Sequence, residues 1–307
     1  MKINDIISNL RIKLSPKTGA LYAYKLLQFE LKKNQLEQNI LYCKEKGISD
    51  KKYCDHDIIV SLTTYGKRIH DVHLTIESIM EQTLKANRII LWLDYSFTYQ
   101  RLPQSLELLK ERGLEIKFCE DLRSYKKLIP SLIECPNDAI ITIDDDIIYN
   151  FDLIENLVFN YLADNRYIYC ARYHKMKLDN KGKLLPYNQW QLMCESEEID
   201  ILNFPTGGAG TLYPPKSLDI EVLNKNVFMD ICKYADDVWF KAMAIKNGTL
   251  SKKVYNKTYE GGSFISNESV QDIALWRINV EGESLNDKQI KAVFSKYDLY
   301  KLLENGK

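Results

Sequence analysis

An α/β fold is expected, with a mainly parallel, Rossmann-like sheet flanked by helices and helical extensions at the N- and C-terminal ends. Three observations predict it. From Asp57 onward, short apolar runs alternate with amphipathic stretches, the texture of successive βαβ units. The run AIITI is short, β-branched and bounded by Pro136-Asn137-Asp138, as a buried parallel strand is. The fourth run, AIITI (139–143), leads straight into three carboxylates, Asp144, Asp145 and Asp146. The carboxyl end of a strand is where open α/β sheets bind ligands.

The elements follow in order. Residues 1–55 are lysine-rich and helical in pattern, ending at Gly47, and form an N-terminal extension. DIIVSL (57–62) is a strand and DVHLTIESIMEQT (71–83) a helix; RIILWL (88–93) is a strand and PQSLELLKERG (103–113) a helix. LEIKFC (114–119) is the third strand, SYKKLIPSLIEC (124–135) a helix, and AIITI the fourth strand, with right-handed crossovers between them. Beyond Asn150 the pattern loosens. A helix (151–163) leads to an aromatic strand, RYIYCARYH (166–174), then to YNQWQLMC (187–194) and the glycine loop PTGGAGTLYPP (205–215). The helix DDVWFKAMAIKNG (236–248) stops at Gly248, and an amphipathic helix closes the chain. One domain is drawn over 56–260, with halves 56–150 and 151–260, followed by a helical segment over 261–307.

Composition excludes several classes. Lys+Arg 42 balances Asp+Glu 42, so no overall field attracts nucleic acid. The seven cysteines are scattered, odd in number and lack a CxxC pair, the pattern of reduced cytosolic thiols and not of a disulfide or zinc scaffold. No stretch reaches the ~18 apolar residues of a membrane span, and MKINDIISNLRIKLSP lacks the apolar core of a secretory signal. A cytoplasmic protein is expected. The alternation of apolar and basic residues at its N-terminus admits peripheral contact with the inner membrane face, although packing on its own domain is the ordinary explanation.

Four constellations carry chemistry. Three acids at one strand end repel each other unless a cation joins them. Mg2+ or Mn2+ takes oxygen ligands and is commonly held by one or two carboxylates plus substrate phosphates; the alternative is a solvated acidic turn. The exit of the first strand, SLTTYGKRIH (61–70), places Thr63, Tyr65 and Arg68 above the same sheet edge, where hydroxyl, ring and guanidinium can cradle a base and phosphates. Arg123, Lys126 and Lys127 form a second basic cluster, or simply a solvated helix face. Gly207, Gly208 and Gly210 permit positive φ and close approach of backbone to a ligand. Asp236 and Asp237 open a helix, where one acid serves as a cap and the other is available as a catalytic base. His70 and His73 read as surface residues and His174 as structural. Tyr167, Tyr169, Tyr173, Tyr187 and Trp190 offer faces for a sugar acceptor, or merely a core.

The order TTYGKR, basic helix, IDDD, GGAG loop and ADDVWF resembles GT-A-fold glycosyltransferases of the broad family-two and exostosin-like kind, in particular bacterial enzymes of surface-polysaccharide assembly, over roughly residues 56–260. The resemblance implies a nucleotide-sugar donor, commonly a UDP-sugar, and a glycan or lipid-linked saccharide acceptor. It implies that Asp146, with Asp144, holds Mn2+ or Mg2+, that Asp144 and Asp145 face the ribose and donor sugar, and that Thr63, Tyr65 and Arg68 bind the nucleotide. Lys126 or Lys127 would meet the diphosphate, Gly207 and Gly208 would line the donor sugar, and Asp237 would be catalytic. The Q/RxxRW motif of processive members is missing, and QDIALWR (271–277) is no substitute, which points to single-sugar transfer.

Two rivals remain. A haloacid-dehalogenase-like phosphatase would use Asp144 as nucleophile and Asp146 as acid, but its motif normally opens the domain and Ile148 stands where Thr or Val is expected. A non-catalytic sugar-binding protein of the same fold would have little use for so many retained carboxylates.

Overall fold

The computed structural model describes residues 16–255, 264–267 and 285–304. Its centre is a seven-stranded sheet of β1 (Ile58–Thr63), β2 (Arg88–Asp94), β3 (Leu114–Cys119), β4 (Ala139–Thr142), β6 (Ile168–Cys170), β9 (Thr211–Tyr213) and β10 (Ser251–Lys253), in the order β10-β6-β9-β4-β1-β2-β3. Only β9 runs against its neighbours β4 and β6; the other pairings are parallel. Two small antiparallel pairs lie outside this sheet: β5 (Ile147–Tyr149) with β11 (Phe264–Ser266), and β7 (Tyr173–Lys175) with β8 (Asn203–Pro205).

Burial explains why β1, β2 and β4 do not alternate, whereas the edge strand β3 does. Ile58, Val60, Leu62, Ile141 and Leu212 face one core, with Val72, Ile76 and Ile79 of α2 (Val72–Met80), Leu106 and Leu109 of α3 (Gln104–Glu111), and Leu157 and Val158 of α5 (Leu153–Ala163). Ile140, Ile168 and Tyr213 face the other, with Ile129 of α4 (Ile129–Glu134), Phe228 of α6 (Lys225–Ile231), Trp239 and Phe240 of α7 (Asp236–Asn247), and Phe294 of α8 (Leu285–Lys296). Apolar side chains on both faces of one strand give a continuous hydrophobic run. The expected α/β class is therefore correct.

Three expected elements are divided. The helix drawn over 124–135 is a 3-10 turn (Arg123–Lys127) followed by α4, because Pro130 fits only the first turn of a helix and forces a new start. The aromatic strand over 166–174 is two strands in different sheets, broken at Ala171 and Arg172. The terminal helix is α8 and then α9 (Tyr300–Glu304), separated by Asp298 at φ 57, a left-handed position an aspartate tolerates. Gly248 caps α7 at φ 75 as expected. Within the N-terminal extension, α1 (Pro16–Tyr42) lays Phe29 and Leu36 against Leu74 and Ile148. Residues 1–15 and the QDIALWR segment lie outside the described residues. No helix among the described residues is long and apolar enough to cross a membrane.

Candidate active site

Because β1, β4 and β6 run parallel, their carboxyl ends open onto one edge of the sheet, and the acidic triplet leaves β4 there. Asp145 is the buried member. Its Oδ2 accepts from Thr64 Oγ1 at 2.6 Å, and its Oδ1 lies 2.7 Å from Arg68 Nη1. Burial outweighs both partners and pushes its carboxyl above the ordinary value. Arg68 Nη2 also lies 3.1 Å from Asp146 Oδ2, so this guanidinium spans two of the three acids. Its 3-10 turn (Gly66–His70) rises directly from the β1 exit, and Tyr65, 39% exposed, lies with its ring centroid 5.4 Å from the guanidinium.

Lys127 answers Asp144. Its buried ammonium sits 2.9 Å from Asp144 Oδ1 and 3.0 Å from Asp236 Oδ2. Burial disfavours its charge, yet the surrounding acids overcome it and raise its pKa well above the ordinary value. Burial likewise pushes Asp144 up, but Lys127, then Arg172 and Arg68, hold it below the ordinary carboxyl value. The mutual repulsion that motivated a metal is thus partly met by the chain's own cations.

The glycine loop brings the second half of the site to the first. The loop precedes β9, and because β9 is reversed its beginning lies at the edge where β4 ends. Gly207 N–H donates to Asp237 Oδ1 at 3.1 Å. A Cβ on Gly207 would meet Asp237 Oδ1 and Lys127 Nζ at 2.9 Å, and one on Gly208 would meet Asp144 Oδ2 at 2.6 Å. These two glycines answer to close approach and not to backbone sign; positive φ occurs at Gly210, at 101°. Tyr149 closes the arrangement from β5: its buried hydroxyl donates to Gly208 O at 2.7 Å and accepts from Asp144 N–H at 2.9 Å.

Asp236 and Asp237 differ in setting. Asp236 accepts from Ser124 Oγ at 2.9 Å as well as facing Lys127, and makes no capping bond to its helix, so the cap expected of it is replaced by an ion pair. Asp237 is pushed up to about 7 by burial and then by Asp236, against the pull of Lys127. That leaves a carboxyl able to take a proton near neutral pH.

Other expected residues lie apart. Lys126 turns away to Asp94 at 3.0 Å and Asp121 at 3.4 Å, which singles out Lys127 of the pair. Thr63 Oγ1 donates to Trp92 O, tying β1 to β2. Arg123 lies over the Tyr234 ring at 4.9 Å. Of the aromatic set, Tyr169, Tyr173 and Trp190 are core residues, with Trp190 Nε1 donating to Leu185 O, so they offer no sugar-stacking face. Tyr187 is half-buried and belongs to the site's surroundings: burial, and then Asp237, push its phenol up to about 12, against Arg172. His174 packs edge-on to it and is lowered to about 4 by burial, with Arg172 adding to the effect.

Two contributors, Arg172 and Tyr149, escaped the sequence reading. Arg172 leaves β6 at the same edge, donates from Nε to Thr206 Oγ1 at 2.7 Å, and has Nη2 3.2 Å from where a Gly208 Cβ would stand. Its place just past a parallel strand was a readable signal. Thr64, whose hydroxyl is expected at the exit of the first strand, donates to Asp145 there, whereas Tyr149 carried no signal in the sequence.

Around this edge stand five carboxylates, Asp144, Asp145, Asp146, Asp236 and Asp237, against three cations, Arg68, Lys127 and Arg172. The surplus is two negative charges with Asp237 ionised and one with it protonated, and either suits a divalent cation. Asp144, whose side chain is 37% exposed, and Asp146 are the residues that could hold one. The triplet does not bring three ligand atoms within 4.8 Å of one another; among the described residues only Cys54, Asp55 and His56 do, just before β1 and so at the opposite end of the sheet. An ion at the acidic edge therefore fits in the Mg2+ manner, with one or two carboxylates completed by substrate oxygens.

No protein-family model matches the chain, and no curated protein matches it. Among solved structures, S. aureus TarS 1–349 aligns at 16% identity and a TM-score of 0.46, over 78% of this chain and 71% of that one. The same protein in complex with UDP-GlcNAc aligns at 15% identity and a TM-score of 0.47, over 80% and 66%. A 4-diphosphocytidyl-2C-methyl-D-erythritol synthase aligns at 8% identity and a TM-score of 0.41, over 73% and 99%.

Proposed function

We propose that the chain is a GT-A-type, metal-dependent glycosyltransferase that moves one sugar from a nucleotide-sugar, a UDP-sugar by preference, to a saccharide or lipid-linked glycan in surface-polysaccharide assembly. One observation carries the reading: across the glycine loop, adjacent residues contact a carboxyl poised near neutral pH and an acid of the triplet, Gly207 against Asp237 and Gly208 against Asp144. A donor held at the triplet has its sugar beside a proton acceptor.

A bound Mn2+ or Mg2+ supplies positive charge against the diphosphate as it leaves. Asp144 and Asp146 would hold that ion, and Lys127, Arg68 and Arg172 add fixed positive charge along the same edge. Asp237 takes the proton from the acceptor hydroxyl while the acceptor oxygen bonds the sugar's anomeric carbon. The bond from that carbon to the phosphate oxygen breaks, and its electron pair leaves on the nucleoside diphosphate. Tyr149 fixes the triplet to the loop, so donor and base keep their spacing.

The test is a panel of nucleotide sugars with Mn2+, read as nucleoside diphosphate release with and without a saccharide acceptor. Release that requires metal and is lost in Asp237→Asn is expected. If no nucleotide sugar is either bound or turned over, the proposal fails.

A further inference from the structure

The outer face of α1 carries a pattern that its packing on the body does not explain. Phe29, Leu36 and Ile40 face inward and are buried. On the opposite side, Ala20, Tyr24, Leu27, Leu31, Asn34, Gln38 and Leu41 recur at alternating spacings of four and three residues, the seam of a heptad repeat. All seven are exposed and none is charged, in a chain whose composition is 27% charged. Leu27 and Leu31 are 57% and 64% exposed, and beside the seam's end Tyr42 is 75% exposed. A solvated helix face needs no such register; a 3-4 seam is the geometry by which two helices interlock.

The flanking charges choose the occupant. The charges within the stretch Ala20–Leu41 that reach solvent are Lys25 and Lys33 against Glu30 and Glu37, which cancel, while Lys32 turns inward to Glu81 at 3.2 Å. A face without net positive charge has no attraction for anionic lipid. Glu30 and Glu37 border one side of the seam and Gln28 and Gln35 the other. A parallel two-fold pair sets Glu against Gln, whereas an antiparallel pair sets Glu against Glu. From Ala20 to Leu41 the seam is about 32 Å long, at 1.5 Å per residue. We propose that α1 pairs in parallel with α1 of a second copy of this chain, making the protein a homodimer.

Sedimentation equilibrium of the full chain at ~10 μM should give twice the monomer mass. Leu27→Glu/Leu31→Glu should give a monomer with unchanged helix content, since neither side chain contributes to the core. In the parallel pair Leu27→Cys faces its own copy and should form an intermolecular disulfide under mild oxidation that the unsubstituted chain does not. A monomeric parent chain, a dimer that survives the double substitution, or a dimer that Leu27→Cys does not cross-link would overturn the proposal. So would neutral-lipid vesicles that sediment the parent chain but not the double variant, which would identify lipid as the occupant.

Discussion

At the scale of single residues, the site depends on how burial and neighbours divide two adjacent aspartates. Asp237 in the folded chain titrates at about 7, far above the ~3.9 of an unfolded aspartate. The folded state then binds more protons than the unfolded one between these values, so stability falls as pH rises from about 4 to about 7. Asp237→Asn removes that penalty. Its melting temperature should match the parent's near pH 4 and exceed it at pH 8, by on the order of 1–3 kcal/mol of stability, while turnover drops ~100-fold or more. Urea melts at the two pH values check the first point; equal shifts at both would contradict the assigned titration. Lys127→Met is expected to act in the other direction. It strips the cation from Asp144 and Asp236 and should cost about 3–5 kcal/mol, as removing one partner of a buried pair does. It should also displace the rising limb of the pH–rate profile to higher pH, because Lys127 holds Asp237 down.

At the scale of elements, the strands and the glycine loop follow from sequence because their causes are local. A β-branched run covered on both faces, or glycines at a close crossing, leave a record in the residues themselves. The exact partners do not. Nothing in TTYGKR distinguishes an Arg68 that meets phosphate from one that spans Asp145 and Asp146, because that choice depends on a residue 77 positions away. The aromatic segment misled for a related reason: Tyr173 and Trp190 look available in sequence, but β7 and β8 fold them inward. The break before α4, by contrast, was written in Pro130. Two substitutions test the loop. Gly208→Ala pushes a methyl into Asp144 Oδ2, an acid already pinned by Lys127, and should abolish donor binding by calorimetry while leaving the far-ultraviolet spectrum intact. Tyr149→Phe leaves Asp144 N–H and Gly208 C=O unpartnered and should destabilise by about 1–3 kcal/mol, with turnover falling at least ~10-fold because loop and triplet lose their common anchor.

At the scale of the whole molecule, ligand binding should appear as added stability. A nucleoside diphosphate at 100 times its dissociation constant contributes about 2.7 kcal/mol. UDP with Mn2+ should therefore raise the melting temperature by several degrees, and neither UDP in EDTA nor UDP with Asp146→Ala should. An equal rise in EDTA would remove the metal from the proposal. The reversed strand β9 has a consequence for how the molecule is made. It is inserted between β4 and β6, so a chain growing from its N-terminus has β4, β1, β2 and β3 in hand but no partner for the outer edge of β4. Until residue 213 emerges, that edge presents the bare AIIT backbone, a template for pairing with other nascent chains. The glycine loop and the β4 edge are completed in the same stroke, before Asp236 and Asp237 arrive on α7 to finish the candidate site. A chain ending near residue 200 should accordingly precipitate instead of persisting as a nucleotide-binding half.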